Sequence, residues 1–76
     1  VNILPVHSMY WWKGNLEEDS EDLLIIKTTE KLFEKLKHKV IEIHPYEVPE
    51  IMAIPVLAGY EKYLKWLSDS IANLDV

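Results

Sequence analysis

The chain has 76 residues, 49% of them hydrophobic, and its 13 acidic and 8 basic residues give a net charge of −5. This length allows one compact domain with a thin core, and the negative charge argues against nucleic acid as a partner. No apolar run approaches the roughly 20 residues that cross a bilayer, and the lack of cysteine excludes disulfides and thiolate metal sites, so we expect a cytoplasmic protein with no membrane partner.

The first two predicted elements form one long hairpin. Residues 1–12 are rich in β-branched and aromatic side chains, with Pro5 near the start, which favours a strand whose early part lies at a sheet edge. Lys13, Gly14 and Asn15 supply turn chemistry. Residues 16–22 are mostly acidic and residues 23–26 are continuously apolar, which is typical of a strand that is solvated in its first part and buried in its second.

A helix is predicted next, capped by Thr28 or Thr29 and running to about Glu42. Pro45 disfavours helical geometry at His44 and ends the helix there. Apolar residues recur at helical spacing and form one stripe that we expect to face the sheet: Leu32, Phe33, Leu36, Val40 and Ile43.

Three further segments complete the predicted domain. Residues 44–49 are irregular but stiff, residues 51–54 form a short third strand that Pro55 ends, and an amphipathic helix runs from Tyr60 to Leu74. The order is strand, strand, helix, strand, helix in a single domain, residues 1–76. We expect an antiparallel-rich α+β fold with helices on one face of the sheet.

The segment 44–50 carries the most suggestive chemistry, because two prolines fix the backbone around an imidazole, a phenol and two carboxylates. Imidazole plus carboxylate suits zinc or copper, so one hypothesis is a divalent cation bound mainly by His44 and Glu50. The alternative is that both side chains cap or solvate a loop, since spacings such as HExxH need a helix and this segment is extended. His7 and His38 match no ligand spacing with His44 and are interpreted as surface histidines.

Three aromatic residues lie near the predicted hairpin tip. Strand alternation puts Tyr10 and Trp12 on one face and Trp11 on the other. One small monomer cannot bury both faces, and aromatic clusters of this kind are typical of interface cores or of pockets for flat ligands. We favour an oligomer interface, with packing inside the monomer as the alternative.

The remaining polar groups do not indicate catalysis. The acidic run from Glu17 to Asp22 lacks the glycine and spacing of an EF-hand loop and is interpreted as a solvated strand face. No serine has a nucleophile-elbow setting, and there is neither a cysteine nor a glycine-rich phosphate loop. We therefore expect no enzymatic activity.

Five blocks of sequence, in order along the chain, resemble the CutA family of divalent-cation tolerance proteins: Val1-Asn2-Ile3, Tyr10-Trp11-Trp12-Lys13-Gly14, Ile26-Lys27-Thr28-Thr29, His44-Pro45-Tyr46-Glu47-Val48-Pro49-Glu50 and Tyr63-Leu64-Lys65-Trp66-Leu67. The resemblance implies a ferredoxin-like (PII-like) sandwich assembled as a homotrimer, in which long hairpins wrap neighbouring subunits and a cleft lies between them. It also implies divalent-metal tolerance, with copper binding in bacterial relatives and an anchoring role toward other proteins in animal relatives.

The chain departs from the family pattern in two places. The family's first strand and helix are absent, so we expect a partial domain, truncated to β-β-α-β-α, whose missing central strand leaves sheet edges unpaired. At the metal site the family's cysteine ligand is absent. Ile43 precedes His44 where some copper-binding relatives carry a second histidine.

Three functional hypotheses follow. The first is a homotrimer that binds a divalent cation, copper, weakly through His44 with help from Glu50. The second is a PII-like small-molecule-sensing module with a cleft for an anionic or flat ligand near Trp12, Lys27, Tyr46 and Glu50. The third is a purely structural trimer that presents surfaces to other proteins. The candidate residues of the cleft and interface are Trp11, Trp12, Lys27, Tyr46 and Glu47.

Overall fold

Two long strands followed by two helices make up the structure, a computed structural model that describes residues 1–72. Strand β1 spans Asn2–Trp12 and strand β2 spans Asn15–Ile25, while helix α1 spans Glu30–Ile43 and helix α2 spans Glu61–Ile71. The α+β class is as predicted. Three strand limits were wrong by one residue: β1 begins at Asn2 instead of Val1, Asn15 begins β2 instead of belonging to the turn, and Ile26 lies beyond the end of β2.

The hairpin is joined by a two-residue turn at Lys13 and Gly14. Both residues have positive φ, 51° and 82°, as a type I′ turn requires, and this turn matches the twist of the flanking strands. Antiparallel pairing is unbroken from Asn2 opposite Ile25 to Trp12 opposite Asn15. The register therefore assigns every side chain of the hairpin to one of two faces.

We call these two sides the covered face and the open face. The covered face carries Leu4, Val6, Ser8, Tyr10, Trp12, Glu17, Asp19, Glu21 and Leu23. The open face carries Ile3, Pro5, His7, Met9, Trp11, Leu16, Glu18, Ser20, Asp22 and Leu24. The hairpin residues that are half-buried all lie on the covered face: Ser8, Tyr10, Glu17 and Glu21.

The predicted third strand is absent from the described residues. Residues 51–54 are irregular, and the sheet consists of β1 and β2 alone, so the observed order is strand, strand, helix, helix. A strand is defined by its ladder of inter-strand hydrogen bonds, and no other segment pairs with residues 51–54. The apolar composition of residues 51–54 favours a strand, but it does not supply the partner that a strand needs.

The helices lie close to their predicted limits. Thr29 is the N-cap of α1, although its side chain makes no capping hydrogen bond, and the helix ends one residue later than predicted, at Ile43. His44 is extended, and its backbone N–H donates to the Val40 carbonyl over 2.8 Å. The predicted end of the last helix, Leu74, lies outside the described residues. Neither described helix is long and apolar enough to cross a membrane.

The structure is too open to contain a core. No residue among 1–72 is fully buried, and the radius of gyration is 15.3 Å, where a compact chain of this length has roughly 11 Å. The accessible surface is 7009 Å², against roughly 4,800 Å² for a compact chain of this mass. Within the described residues only the two strands approach each other within 8 Å between Cα atoms, so neither helix is in close backbone contact with the hairpin. The α1 stripe is half-buried at Leu32, Phe33, Leu36 and Val40 and exposed at Ile43.

Candidate functional site

The segment 44–50 returns to the covered face of the hairpin and meets it at two points. The Tyr46 hydroxyl donates to Glu21 Oε2 over 2.7 Å, and Lys13 Nζ at the turn lies 4.0 Å from Glu47 Oε2. Pro45 stops α1 immediately before these contacts, and the chain bends through residues 45–48 where an extended segment was predicted. The proline-fixed segment therefore lies beside the acidic part of β2.

His44 is half-buried at the start of this segment. The Tyr46 backbone N–H donates to His44 Nδ1 over 3.1 Å, and the two rings meet edge to face with centroids 4.7 Å apart and planes at 66°. Edge-to-face contact is a favoured geometry for aromatic rings. The imidazole is thus held in one orientation, with its Nδ1 lone pair already used.

Two phenol–carboxylate hydrogen bonds organise the covered face. The Tyr10 hydroxyl donates to Asp19 Oδ2 over 2.6 Å across a diagonal of the hairpin, and the Tyr46 hydroxyl donates to Glu21. The hydrogen bond to Asp19 is the main reason that the pKa of Tyr10 rises to about 12, since ionisation would remove the donor beside a carboxylate. The hydrogen bond to Glu21 raises the pKa of Tyr46 for the same reason.

Within the acidic run, Asp19 is exposed, as predicted for a solvated strand face, while Glu21 is half-buried, and the hydrogen bonds of these two side chains were not predicted. Both carboxylates accept hydrogen bonds from phenols, and Glu18 on the open face lies 2.8 Å from His7 Nε2. The contact between Tyr10 and Asp19 could have been predicted from the sequence. Centring the hairpin on Lys13 and Gly14 puts Asp19 on the same face as Tyr10.

The predicted metal ligands do not form a complete site within one chain. Among residues 1–72 no group of three histidine, cysteine, aspartate or glutamate side chains is placed to hold a metal ion. Glu50 is exposed, and the Nδ1 lone pair of His44 accepts the Tyr46 amide. Protein zinc sites have at least three protein ligands, and the described residues of one chain do not bring three such side chains together.

The predicted cleft residues are divided between distant parts of the chain. Trp12, Tyr46 and Glu47 lie along the covered face, where Lys13 Nζ sits 5.6 Å from the Trp12 ring. Trp11 is on the open face and is 74% exposed. Lys27 follows β2, at the opposite end of the hairpin and roughly 30 Å or more from Trp12 along the strand. A cleft that contains both Trp12 and Lys27 therefore requires a second chain.

The arrangement of a long hairpin, two helices and a proline-fixed segment defines a small PII-like α+β protein. Among solved structures it is similar to the PII-like protein CutA from Nostoc sp. PCC 7120 in apo form, with a TM-score of 0.80 and 39% identity over 86% of this chain. It is also similar to CutA1 from Oryza sativa, with a TM-score of 0.86 and 48% identity over 91% of this chain.

The sequence assigns the family. The family model described as CutA1 divalent ion tolerance protein matches residues 1–70, and the chain belongs to the CutA1 family. Protein CutA, chloroplastic, from Arabidopsis thaliana is 49% identical over 96% of this chain. The chain spans 41% of that relative's length and 64% of the Oryza sativa chain.

Proposed function

We propose that this chain acts in divalent-cation tolerance as an oligomeric, non-enzymatic protein that binds a divalent cation, copper, through His44 with help from Glu50. The observation that supports this role is the match to the CutA1 divalent ion tolerance family over residues 1–70. The described residues contribute one histidine held at the edge of an acidic hairpin face. Imidazole nitrogen and carboxylate oxygen suit copper or zinc.

A homotrimer is the assembly that we propose for this function. The chain exposes about 2,000 Å² more surface than a compact chain of its mass, an area in the range of permanent interfaces. Large apolar side chains are exposed on the open face at both ends of the hairpin: Met9, Trp11 and Leu16 near the turn, and Ile3 and Leu24 at the opposite end. A complete ligand set also requires more than one copy, because one chain supplies no three clustered ligands among its described residues.

Calorimetric titration with copper tests the role of His44. We expect His44→Ala to weaken copper binding by at least about tenfold and Glu50→Gln to weaken it less. His38→Ala is the matched control, since it removes an exposed histidine from α1 without touching segment 44–50. An unchanged copper affinity in His44→Ala, measured at the same oligomeric state, would show that His44 is not a ligand.

A second candidate function is small-molecule sensing, supported by the structural likeness to the PII-like protein CutA of Nostoc. In this proposal Lys27 of one copy and Trp12 of another line a cleft between copies, and the lysine takes an anionic group. A thermal-shift screen with nucleotides and small dicarboxylates tests it. Lys27→Ala should abolish any shift that a ligand gives, while Lys62→Ala on α2 should leave the shift intact.

A further inference from the structure

His44 is oriented by the residue two positions along the chain, and that residue is itself anchored to the hairpin. The Tyr46 N–H donates to His44 Nδ1, while the Tyr46 hydroxyl donates to Glu21 Oε2. Tyr46 therefore connects the imidazole to β2 through two hydrogen bonds, 3.1 Å and 2.7 Å long. Pro45 lies between His44 and Tyr46 in the chain and fixes its own φ, which limits the other conformations in which the Tyr46 amide can reach His44 Nδ1.

The direction of the bond between Tyr46 and His44 determines which nitrogen of the ring carries the proton. A backbone amide only donates, so Nδ1 must accept through its lone pair and carry no hydrogen. In a neutral imidazole the proton then lies on Nε2. We infer that Tyr46, anchored by Glu21, holds His44 as the Nε2–H tautomer, which makes Tyr46 and Glu21 positioning residues for the imidazole.

The consequence for a cation rests on the proposed function. A cation at Nδ1 takes the lone pair that accepts the Tyr46 amide. A cation that binds Nε2 requires the ring proton to move through water to Nδ1. Nδ1–H and the Tyr46 N–H are then two donors that face each other, and the hydrogen bond between them is lost. Either route exchanges one hydrogen bond for one metal–nitrogen bond. The hydrogen bond from the Tyr46 amide to His44 Nδ1 therefore lowers the affinity of His44 for a cation by about twofold to tenfold, which corresponds to the free energy of one hydrogen bond.

Nitrogen-15 NMR of labelled histidine tests the tautomer without any metal. At mildly alkaline pH, where imidazoles are neutral, we expect wild-type His44 to show its proton on Nε2. Tyr46→Phe and Glu21→Ala each remove one partner of the hydrogen bond between the Tyr46 hydroxyl and Glu21. Both variants should therefore raise the share of the Nδ1–H form by about twofold to tenfold. The double variant should give no further increase, because the two changes remove the same bond.

Tyr10→Phe is the matched control. It removes a phenol–carboxylate bond of the same kind from the same face, 2.6 Å from Tyr10 to Asp19, and leaves the contacts of Tyr46 in place. The His44 spectrum of this variant should equal that of the wild type. A wild-type proton on Nδ1, or a tautomer ratio that neither Tyr46→Phe nor Glu21→Ala changes, would overturn the inference.

Titration with zinc, which is diamagnetic, separates this inference from the proposed function. Zinc should bind His44 about twofold to tenfold more tightly in Tyr46→Phe than in the wild type, with no change in Tyr10→Phe. Zinc bound to wild-type His44 while the Tyr46 amide keeps its hydrogen bond would contradict the competition. If zinc leaves His44 unaffected in every variant, the cation-binding proposal fails alone, because the tautomer is read from the metal-free spectra.

Discussion

The two faces of the hairpin share the same strands and register, but their side chains differ in their contacts and in their exposure to water. On the covered face, phenol hydroxyls meet carboxylates and segment 44–50 lies alongside, and Trp12 is 37% exposed. On the open face, Trp11 is 74% exposed, and a side-chain hydrogen bond joins His7 to Glu18. Neighbouring tryptophans one position apart thus differ twofold in exposure because alternation puts them on opposite sides.

The difference separates what one chain can do from what an assembly must do. The polar groups of the covered face find partners within the chain, and segment 44–50 brings the hydroxyl that donates to Glu21. The exposed apolar side chains of the open face leave water only when another surface covers them, and large exposed apolar patches mark interaction sites. Properties of His44 and Tyr10 can therefore be measured in one chain, whereas the role of Trp11 requires a second one.

The largest expected effect is on assembly. Trp11→Glu puts a charge beside Met9 and Leu16, in the exposed apolar group near the turn on the open face. A buried tryptophan anchor contributes about 2 kcal/mol or more to an interface, so association should weaken by about 30-fold or more. Sedimentation equilibrium over a wide concentration range measures the change. Ile41→Glu makes a comparable change at an exposed position of α1 and should leave the mass unaltered. Equal molar masses for the wild type and Trp11→Glu would show that the open face is not part of the interface.

A smaller effect is expected on the covered face in alkali. The pKa of Tyr10 is raised from 10.0 to about 12 by its hydrogen bond to Asp19, so the neutral phenol is the form that the folded chain favours. The stabilisation is complete below pH 10 and is lost as the pH rises through 12. Unfolding by urea should therefore become easier across this window in the wild type.

Tyr10→Phe tests the assignment of that pH dependence. The variant should lose much of the decline in stability between pH 10 and 12, and ultraviolet titration should lack the latest tyrosinate step. Some decline should persist, because the hydrogen bond to Glu21 also raises the pKa of Tyr46. Identical pH profiles for the variant and the wild type would mean that Tyr10 and Asp19 do not interact in solution.

Local signals made the hairpin and both helices predictable, whereas contacts between distant segments were not. Gly14 and Pro45 act within a few residues, so the turn and the end of α1 follow from the sequence. The strand predicted at residues 51–54 depends on a partner, which composition does not provide. The bond between Tyr46 and Glu21 joins residues 25 positions apart, and it depends on where the chain returns after α1. The tautomer of His44 depends on the same long-range contact, so it could not be predicted from the sequence.

The smallest expected effect is at the turn that both faces share. Lys13 holds φ of 51° at a cost that asparagine largely avoids. Its side chain makes an exposed 4.0 Å pair with Glu47 and a contact with the Trp12 ring. Lys13→Asn should therefore stabilise the chain by roughly 0.5 kcal/mol, measured by urea unfolding. Lys13→Ala keeps the backbone strain and loses both side-chain contacts, so it should be slightly less stable than the wild type. If Lys13→Asn were less stable than the wild type, the contacts of the Lys13 side chain with Glu47 and Trp12 would outweigh the strain of the turn, and segment 44–50 would be held at the turn as well as at Tyr46.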